Sequence, residues 1–297
     1  MTTPHPLLAH AAQQSYPASC LYVVATPIGN VADISCRALY VLEKVQAIAC
    51  EDTRNTAQLL KQLGIVKPLM AAHEHNEREV ADKIIARLQQ GESIALVSDA
   101  GTPAVSDPGA RIVDAVRAAG LKVVPLPGAS AVITALSASG LLNDQFYFVG
   151  FLPNKAGQRN SALTALTGIT ATLVFYEAPH RIIETVAALA TLFPATRKIV
   201  LARELTKLFE EIHRCDLGEA SAWLAADSHR EKGEYVVLLE GATPDQNGEL
   251  REAERILSIL LTSCSVKQSA TLAAQITGQK KNALYELALR MQATNEA

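Results

Sequence analysis

Apolar residues recur along this chain in short blocks, and most of the blocks read as strands. Residues 20–26 are almost continuously apolar, the pattern of a strand covered on both faces of a parallel sheet. A turn at Pro27-Ile28-Gly29-Asn30 follows, and Ser35 is placed to cap a helix with Ala38, Leu42 and Val45 on one face. Residues 47–50, 69–72, 94–98 and 121–126 are the next predicted strands. Between them, 77–90 and 110–119 carry apolar residues at helical spacing and stop at Gly91 and Gly120. Strands alternating with helices of this length predict a mostly parallel sheet.

Pro127-Gly128 marks a domain seam. Beyond it, a helix of small residues spans 130–139, and strand-like runs follow at 146–150, 172–176, 199–202, 211–213 and 235–239. Helices at 181–192 and 219–225 separate some of them, so this second domain is α/β with mixed strand directions. Residues 242–248 are polar and turn-rich and read as a linker. The rest is helical: Ser265-x-x-Gln268 is a capping box, its helix ends at Thr277-Gly278, and a second helix from Lys280 carries Leu284, Leu287, Ala288 and Met291. The small residues Ala274 and Gly278 give the turn of a helix-turn-helix. The expected organisation is a loose tail over 1–19, α/β domains over 20–127 and 128–242, and a helical unit over 249–297.

Composition narrows this picture. With 49% hydrophobic and 19% charged residues among 297, the chain is globular and long enough for about two domains. Its formal charge of -3 advertises no nucleic-acid binding, but residues 251–297 hold six basic side chains against four acidic ones, Glu296 included. The five cysteines are scattered and form no Cys-x-x-Cys, which fits a reducing cytoplasm and argues against a disulfide scaffold or zinc knuckle. No apolar run reaches the ~18–20 residues needed to cross a bilayer, and residues 1–19 lack the pattern of a signal peptide.

The most informative stretch is Leu96-Val-Ser-Asp-Ala-Gly-Thr-Pro103, where a buried-looking strand runs into an uncharged turn. In an open α/β sheet, ligands bind outside the carboxyl ends of the strands. Gly101 permits close backbone approach, Pro103 stiffens the path, and Asp99 offers an acceptor. The loop has no Lys or Arg, and the chain has neither G-x-G-x-x-G after a strand nor G-x-x-x-x-G-K-[ST], so a polyphosphate ligand is disfavoured. Other strand ends carry charge as well: Glu51-Asp52-Thr53-Arg54, Tyr176-Glu177 with His180-Arg181, and Arg203-Glu204 with Lys207. Each is either an ordinary helix start or the wall of a cleft, and the repetition favours a cleft. His73-Glu-His75 lacks a third metal ligand, and Trp223 reads as core.

Taken in order, Leu21-Tyr-Val-Val-Ala-Thr-Pro-Ile-Gly-Asn30, Glu51-Asp-Thr-Arg54, Leu96 to Pro103, Pro125-Leu-Pro-Gly128, Phe175-Tyr-Glu177 and Ala202-Arg-Glu-Leu-Thr-Lys207 resemble the bacterial ribosomal RNA cytidine 2′-O-methyltransferases of the tetrapyrrole methylase family. The resemblance covers about residues 20–240, and the helical tail is similar as well. It implies two α/β domains with S-adenosylmethionine in the cleft between them, a homodimer, and 16S rRNA within the small ribosomal subunit as partner. It places the cofactor against Pro27, Ser98, Asp99, Gly101, Thr102, Pro103, Ser106, Ser130, Ala131, Tyr176, Glu177 and Glu204. Tetrapyrrole-modifying relatives carry Gly-Pro-Gly-Asp-Pro in the first turn and Gly-Asp-Pro in the later loop. The sequences here are Thr26-Pro-Ile-Gly-Asn30 and Gly101-Thr102-Pro103, which favour RNA over a tetrapyrrole.

Methyl transfer to a ribose hydroxyl needs alignment, exclusion of water, and a way to handle one proton. Glu177 or Glu204 is expected as base or orienting group. Arg54, Arg181 and Lys207 are expected to hold phosphates or the developing oxyanion. No metal is expected. The rival readings are a methylase of a tetrapyrrole or other small metabolite, and a non-catalytic module that binds RNA or a nucleoside.

Overall fold

The computed structural model describes residues 6–243 and 246–295. They fall into two compact units, one up to Gly241 and one from Ala242. The first unit contains two five-stranded sheets.

The first lobe runs α1 (Pro6–Ala12), β1 (Cys20–Val24), α2 (Cys36–Lys44), β2 (Ala47–Cys50), α3 (Thr53–Gln62), β3 (Leu69–Ala71), α4 (Glu77–Gln89), β4 (Ile94–Val97), α5 (Ala110–Ala118) and β5 (Lys122–Leu126). Its sheet is entirely parallel, in the order β3-β2-β4-β1-β5. Cys20, Tyr22 and Val24 of β1 pack with Ala38, Val41 and Leu42 of α2 on one face. Leu21 packs with Ile84, Leu88, Ile112 and Val116 of α4 and α5 on the other. Burial on both faces is why β1, β2 and β4 read as unbroken apolar runs.

The expected loose tail is docked from Pro6 onward. Ala11 of α1 is buried, and the Tyr16 hydroxyl donates to its carbonyl at 2.9 Å. Residues 1–5 of that tail lie outside the described residues.

The second lobe runs α6 (Ala131–Ser139), β6 (Phe146–Phe151), α7 (Ala156–Thr164), β7 (Thr172–Glu177), α8 (Ile182–Leu192), β8 (Lys198–Arg203), β9 (Glu211–Asp216), α9 (Leu217–Ala225) and β10 (Tyr235–Leu239). The order is β6-β7-β10-β8-β9, parallel only between β6 and β7. The expected mixture of directions is present. One face, with Phe175, Leu201 and Val237, is covered by α7, α8 and α9. The other, with Val174, Val200 and Val236, packs on Val132 and Ala135 of α6 and on Ile28 from the first lobe. Trp223 is half-buried and sandwiched, with the His213 ring stacked at 4.2 Å and the Arg230 guanidinium at 4.0 Å, so neither face is open to a base.

The second unit comprises α10 (Gln246–Leu261), α11 (Val266–Thr277) and α12 (Lys281–Asn295). Residues 244–245 of the predicted linker lie outside the described residues, and its last three residues already belong to α10. The predicted capping box at α11 forms: Gln268 Oε1 accepts from Ser265 N at 3.3 Å and from the Ser265 hydroxyl at 3.0 Å. Gly278 ends α11 at φ +71. Leu257, Ala270, Ala273, Leu284 and Ala288 make its small core. Glu296 and Ala297 lie outside the described residues.

Candidate active site

The helix after β1 lies on one face of the first sheet and the helix after β4 on the other. Because β1 and β4 are neighbours, the crevice of this sheet opens between their carboxyl ends. Two loops leave from there and are pinned together. Thr26 N donates to Gly101 O at 2.9 Å, and Gly101 N returns the bond to Thr26 O at 3.0 Å. The Thr26 hydroxyl donates to Ser98 O at 3.0 Å, and the Ser98 hydroxyl to Gly101 O at 3.1 Å. Gly101 sits at φ +84, which a side chain would strain. Thr102 ties the loop to the seam by donating to Ala129 O at 3.0 Å.

The second lobe brings the ends of β7 and β8 and the start of antiparallel β10 to the same place. Gly29 is a point of close approach: a Cβ there would lie 2.5 Å from Lys207 Cγ and 3.0 Å from Leu205 O. Between the lobes is a cavity of about 310 Å³. Apolar walls come from Ile28, Val105, Ala131, Phe151, Leu205 and Val236. Charge comes from Asp99, Asp107, Glu204 and Glu234, with Lys207 the one cation among the described lining residues. An acid-rich, part-apolar pocket suits a cationic ligand with flat or aliphatic parts and repels a polyphosphate.

Of the expected residues, Asp99, Gly101, Thr102, Ser130, Ala131, Tyr176, Glu177, Glu204 and Lys207 line this cavity. Ser98 and Pro103 are buried within the loop that forms it, and Ser106 stands at the loop's exposed tip beside Gly150. Pro27 lies in the pinned first turn but is not among the lining residues. Arg54 is also outside the lining: its side chain is 88% exposed and paired with Asp52 at 2.7 Å. Asp99 accepts from Asp52 N at 3.1 Å and from Asn55 Nδ2 at 2.7 Å, so it fastens the end of β2 to the loop.

Two expected roles need revision on geometric grounds. Glu177 is among the lining residues, but its side chain has no exposed surface. Its carboxylate accepts from the Thr185 hydroxyl at 2.6 Å and from Ala178 N at 2.9 Å, with Arg181 Nε 3.2 Å away. Arg181 in turn donates to Leu152 O at 2.5 Å. These two side chains are spent on bracing the ends of β6 and β7. Glu204 is held at φ +49, and its Oε1 accepts from Lys207 Nζ at 2.8 Å and from Glu234 N at 2.9 Å. Burial pushes the Glu204 carboxyl up, but Lys207, the Glu234 amide and Arg203 outweigh it and leave it below the usual range. A carboxylate held that way is a weak proton acceptor. Burial lowers Lys207, yet Glu204 and Glu234 together hold it above its ordinary value, as a fixed cation.

Sequence reasoning missed Asp107 and Glu234. Asp107 lies in a Ser-Asp-Pro-Gly stretch that also reads as a helix start. The signal for a site was its place in the same strand-to-helix connection as Gly101. Burial, then Glu51, with Asp99 adding, push its carboxyl up to about 6, and Ser98 opposes them. Tyr176 across the cavity is raised by burial and by Asp107. Glu234 enters because β10 runs antiparallel, so its start falls where β7 and β8 end.

Two lobes joined at one seam, closing on an acid-lined pocket at a strand crevice, define a methylase fold. The chain belongs to the tetrapyrrole (corrin/porphyrin) methylases, whose family model matches residues 20–221. A second model, the RsmI C-terminal HTH domain, matches residues 248–292. The chain is 51% identical over 277 residues to the ribosomal RNA small subunit methyltransferase I of Pseudomonas aeruginosa, covering 93% of this chain and 98% of that one. It is 49% identical to the protein of the same name from Escherichia coli O157:H7, covering 92% and 95%. Among solved structures, diphthine synthase superposes with a TM-score of 0.57 at 16% identity, covering 75% of this chain and 90% of that one, a likeness of fold alone. This chain is thus a methyltransferase that uses S-adenosylmethionine, and the acid-lined pocket fits the donor's positive sulfur.

Proposed function

We propose that this chain methylates the ribose 2′-hydroxyl of a cytidine in the decoding region of 16S rRNA within the small ribosomal subunit. The observations that carry this reading are the 51% identity over 93% of the chain to a ribosomal RNA small subunit methyltransferase and a cavity at the strand crevice with four carboxylates around a single ammonium, suited to a cationic donor. Bound there, S-adenosylmethionine supplies a methyl group on a cationic sulfur that is already a good leaving group. The protein's share is placement. Gly101 and Thr102 bring backbone close, and the Ser130 hydroxyl, which caps nothing in α6, faces the pocket. The Glu204–Lys207–Glu234 cluster is a rigid polar wall. Ile28, Leu205 and Val236 exclude water. Alignment of this kind is worth roughly 7–11 kcal/mol of barrier.

Arg54, exposed beyond the cavity, is suited to an RNA phosphate rather than to the reacting atoms. Lys267, Lys280, Lys281 and Arg290 are exposed on the helical unit and are assigned to rRNA phosphates. The chain is also taken as a cytoplasmic homodimer. Edge strand β6 leaves Phe146, Tyr147 and Phe151 about half exposed, a surface that pairing would cover. No helix among the described residues is long and apolar enough to cross a membrane.

The deciding experiment offers radiolabelled donor with purified 30S subunits, naked 16S rRNA and a tetrapyrrole, and maps the product. One methyl on a cytidine 2′-oxygen of the subunit is expected. Label in the tetrapyrrole, or none in RNA, sinks the reading. Light scattering checks the dimer, and Tyr147→Asp is expected to shift it toward monomer.

A further inference from the structure

The loop that joins β8 to β9 carries an apolar tip out into solvent beside the cavity. Glu204, Leu205 and Lys207 of this loop line the cavity, and Leu208 and Phe209 follow directly. Leu208 is 90% exposed and Phe209 67%. The backbone beneath them is braced. Thr206 N donates to Glu210 Oε2 at 2.6 Å, Lys207 N to Glu204 O at 3.0 Å, and Glu210 N to Lys207 O at 3.1 Å. The buried Arg203 donates from Nη1 to the Phe209 carbonyl at 3.3 Å and from Nε to Lys232 O at 2.6 Å. Glu204 at φ +49 and Thr206 at φ +66 hold non-glycine backbone in the left-handed region. Such strain persists where the surroundings impose it, and it gathers at functional sites. On the first-lobe side, the Thr206 hydroxyl and Lys207 Cγ fill the space that a side chain at position 29 would need. The tip is therefore mounted on fixed backbone, and a partner has little left to order when it binds.

The chemistry of the tip selects the partner. Glu210 adjoins it and Glu234 is paired to the neighbouring Lys207, so a phosphate is repelled. What remains on offer is the flat face of one aromatic ring, which suits the face of a nucleobase. Among the described residues of the α/β unit, the other exposed rings are Phe146, Tyr147 and Phe151, all on β6 at the opposite edge of the second sheet. Two side chains also supply far less than the ~800 Å² that a stable protein partner covers.

We propose that Phe209, with Leu208 beside it, is a stacking contact for a base of the rRNA strand next to the acceptor nucleotide. This rests on the 2′-O-methylation reading above. Proteins receive unstacked RNA bases on aromatic side chains, and one such contact tolerates any base. Phe209 thus sets where the strand lies at the mouth of the cavity, and leaves the choice of base to other groups.

The test compares wild type with Phe209→Ala, Phe209→Leu and Phe209→Trp on purified 30S subunits. It reads the subunit concentration that gives half-maximal single-turnover rate, donor Kd by calorimetry, and mass by light scattering. Loss of one stacked base is expected to raise that concentration roughly tenfold or more in Phe209→Ala. Phe209→Trp is expected to restore wild-type behaviour, and Phe209→Leu, apolar but not flat, to fail. Donor Kd and mass are expected to stay as in wild type. The salt slope of subunit binding is expected to stay unchanged too, because no cation is lost. An unaltered subunit requirement in Phe209→Ala, full rescue by leucine, or weakened donor binding that accounts for the loss overturns the assignment and leaves the activity standing. A fall in mass in Phe209→Ala overturns it in favour of a second copy of this chain as the occupant. No methylation of the subunit by wild type overturns the activity and this assignment with it.

Discussion

Asp107→Asn is expected to make the protein more stable at neutral pH, and the amount follows from the site. An aspartate in an unfolded chain titrates near 3.9, and Asp107 is pushed up to about 6 by burial and by Glu51. The folded state then binds the proton more tightly than the unfolded state. The sign follows from linkage: the contribution of Asp107 is fully favourable below the unfolded pKa and is lost as pH rises through about 6. Across pH 4.5 to 7.5 the loss works out at about 2 kcal/mol. Asparagine has no such dependence, so the variant's advantage over wild type grows by that amount across the window. Urea unfolding followed by Trp223, the single tryptophan, reads the α/β unit at each pH. A difference between the two proteins that stays flat within ~0.5 kcal/mol across the window would show that the carboxyl is not perturbed and refute the reasoning.

Gly29→Ala places a methyl 2.5 Å from Lys207 Cγ and 3.0 Å from a backbone oxygen, so it is expected to cost about 1–3 kcal/mol and to weaken donor binding at least tenfold; unchanged calorimetry argues against the close approach. Glu177→Gln leaves a buried amide facing donors and is expected to lose about 3 kcal/mol while donor Kd stays within threefold; a loss of turnover at unchanged stability restores Glu177 as a base. Ending the chain before Ala242 removes, among its six cations, the four assigned to rRNA phosphates, and the slope of log affinity for 16S rRNA against log salt is expected to become shallower by about 3. An unaltered slope removes the helical unit from RNA binding.

The sequence by itself determined what local patterns encode. Residues buried on both faces announced the inner strands of the first sheet, and glycines marked the ends of α4, α5 and α11. The run of motifs fixed the family, and pointed to Gly101, Thr102 and Tyr176, which line the cavity between the lobes. Only the tertiary structure decided which charges face the cavity and which face protein. Glu177 and Glu204 carry the same side chain at similar strand ends, yet Thr185, Ala178 N and Arg181 enclose one and Lys207 neutralises the other. Asp107 was hidden because Ser-Asp-Pro-Gly also encodes a helix start, and its exposure to the pocket depends on loop dihedrals that no local pattern specifies. Glu234 reached the site through the reversed direction of β10. Hydrophobic periodicity reports a residue's distance from water along its own element. The partner that a buried charge finds is set by other elements, tens of residues away in the chain.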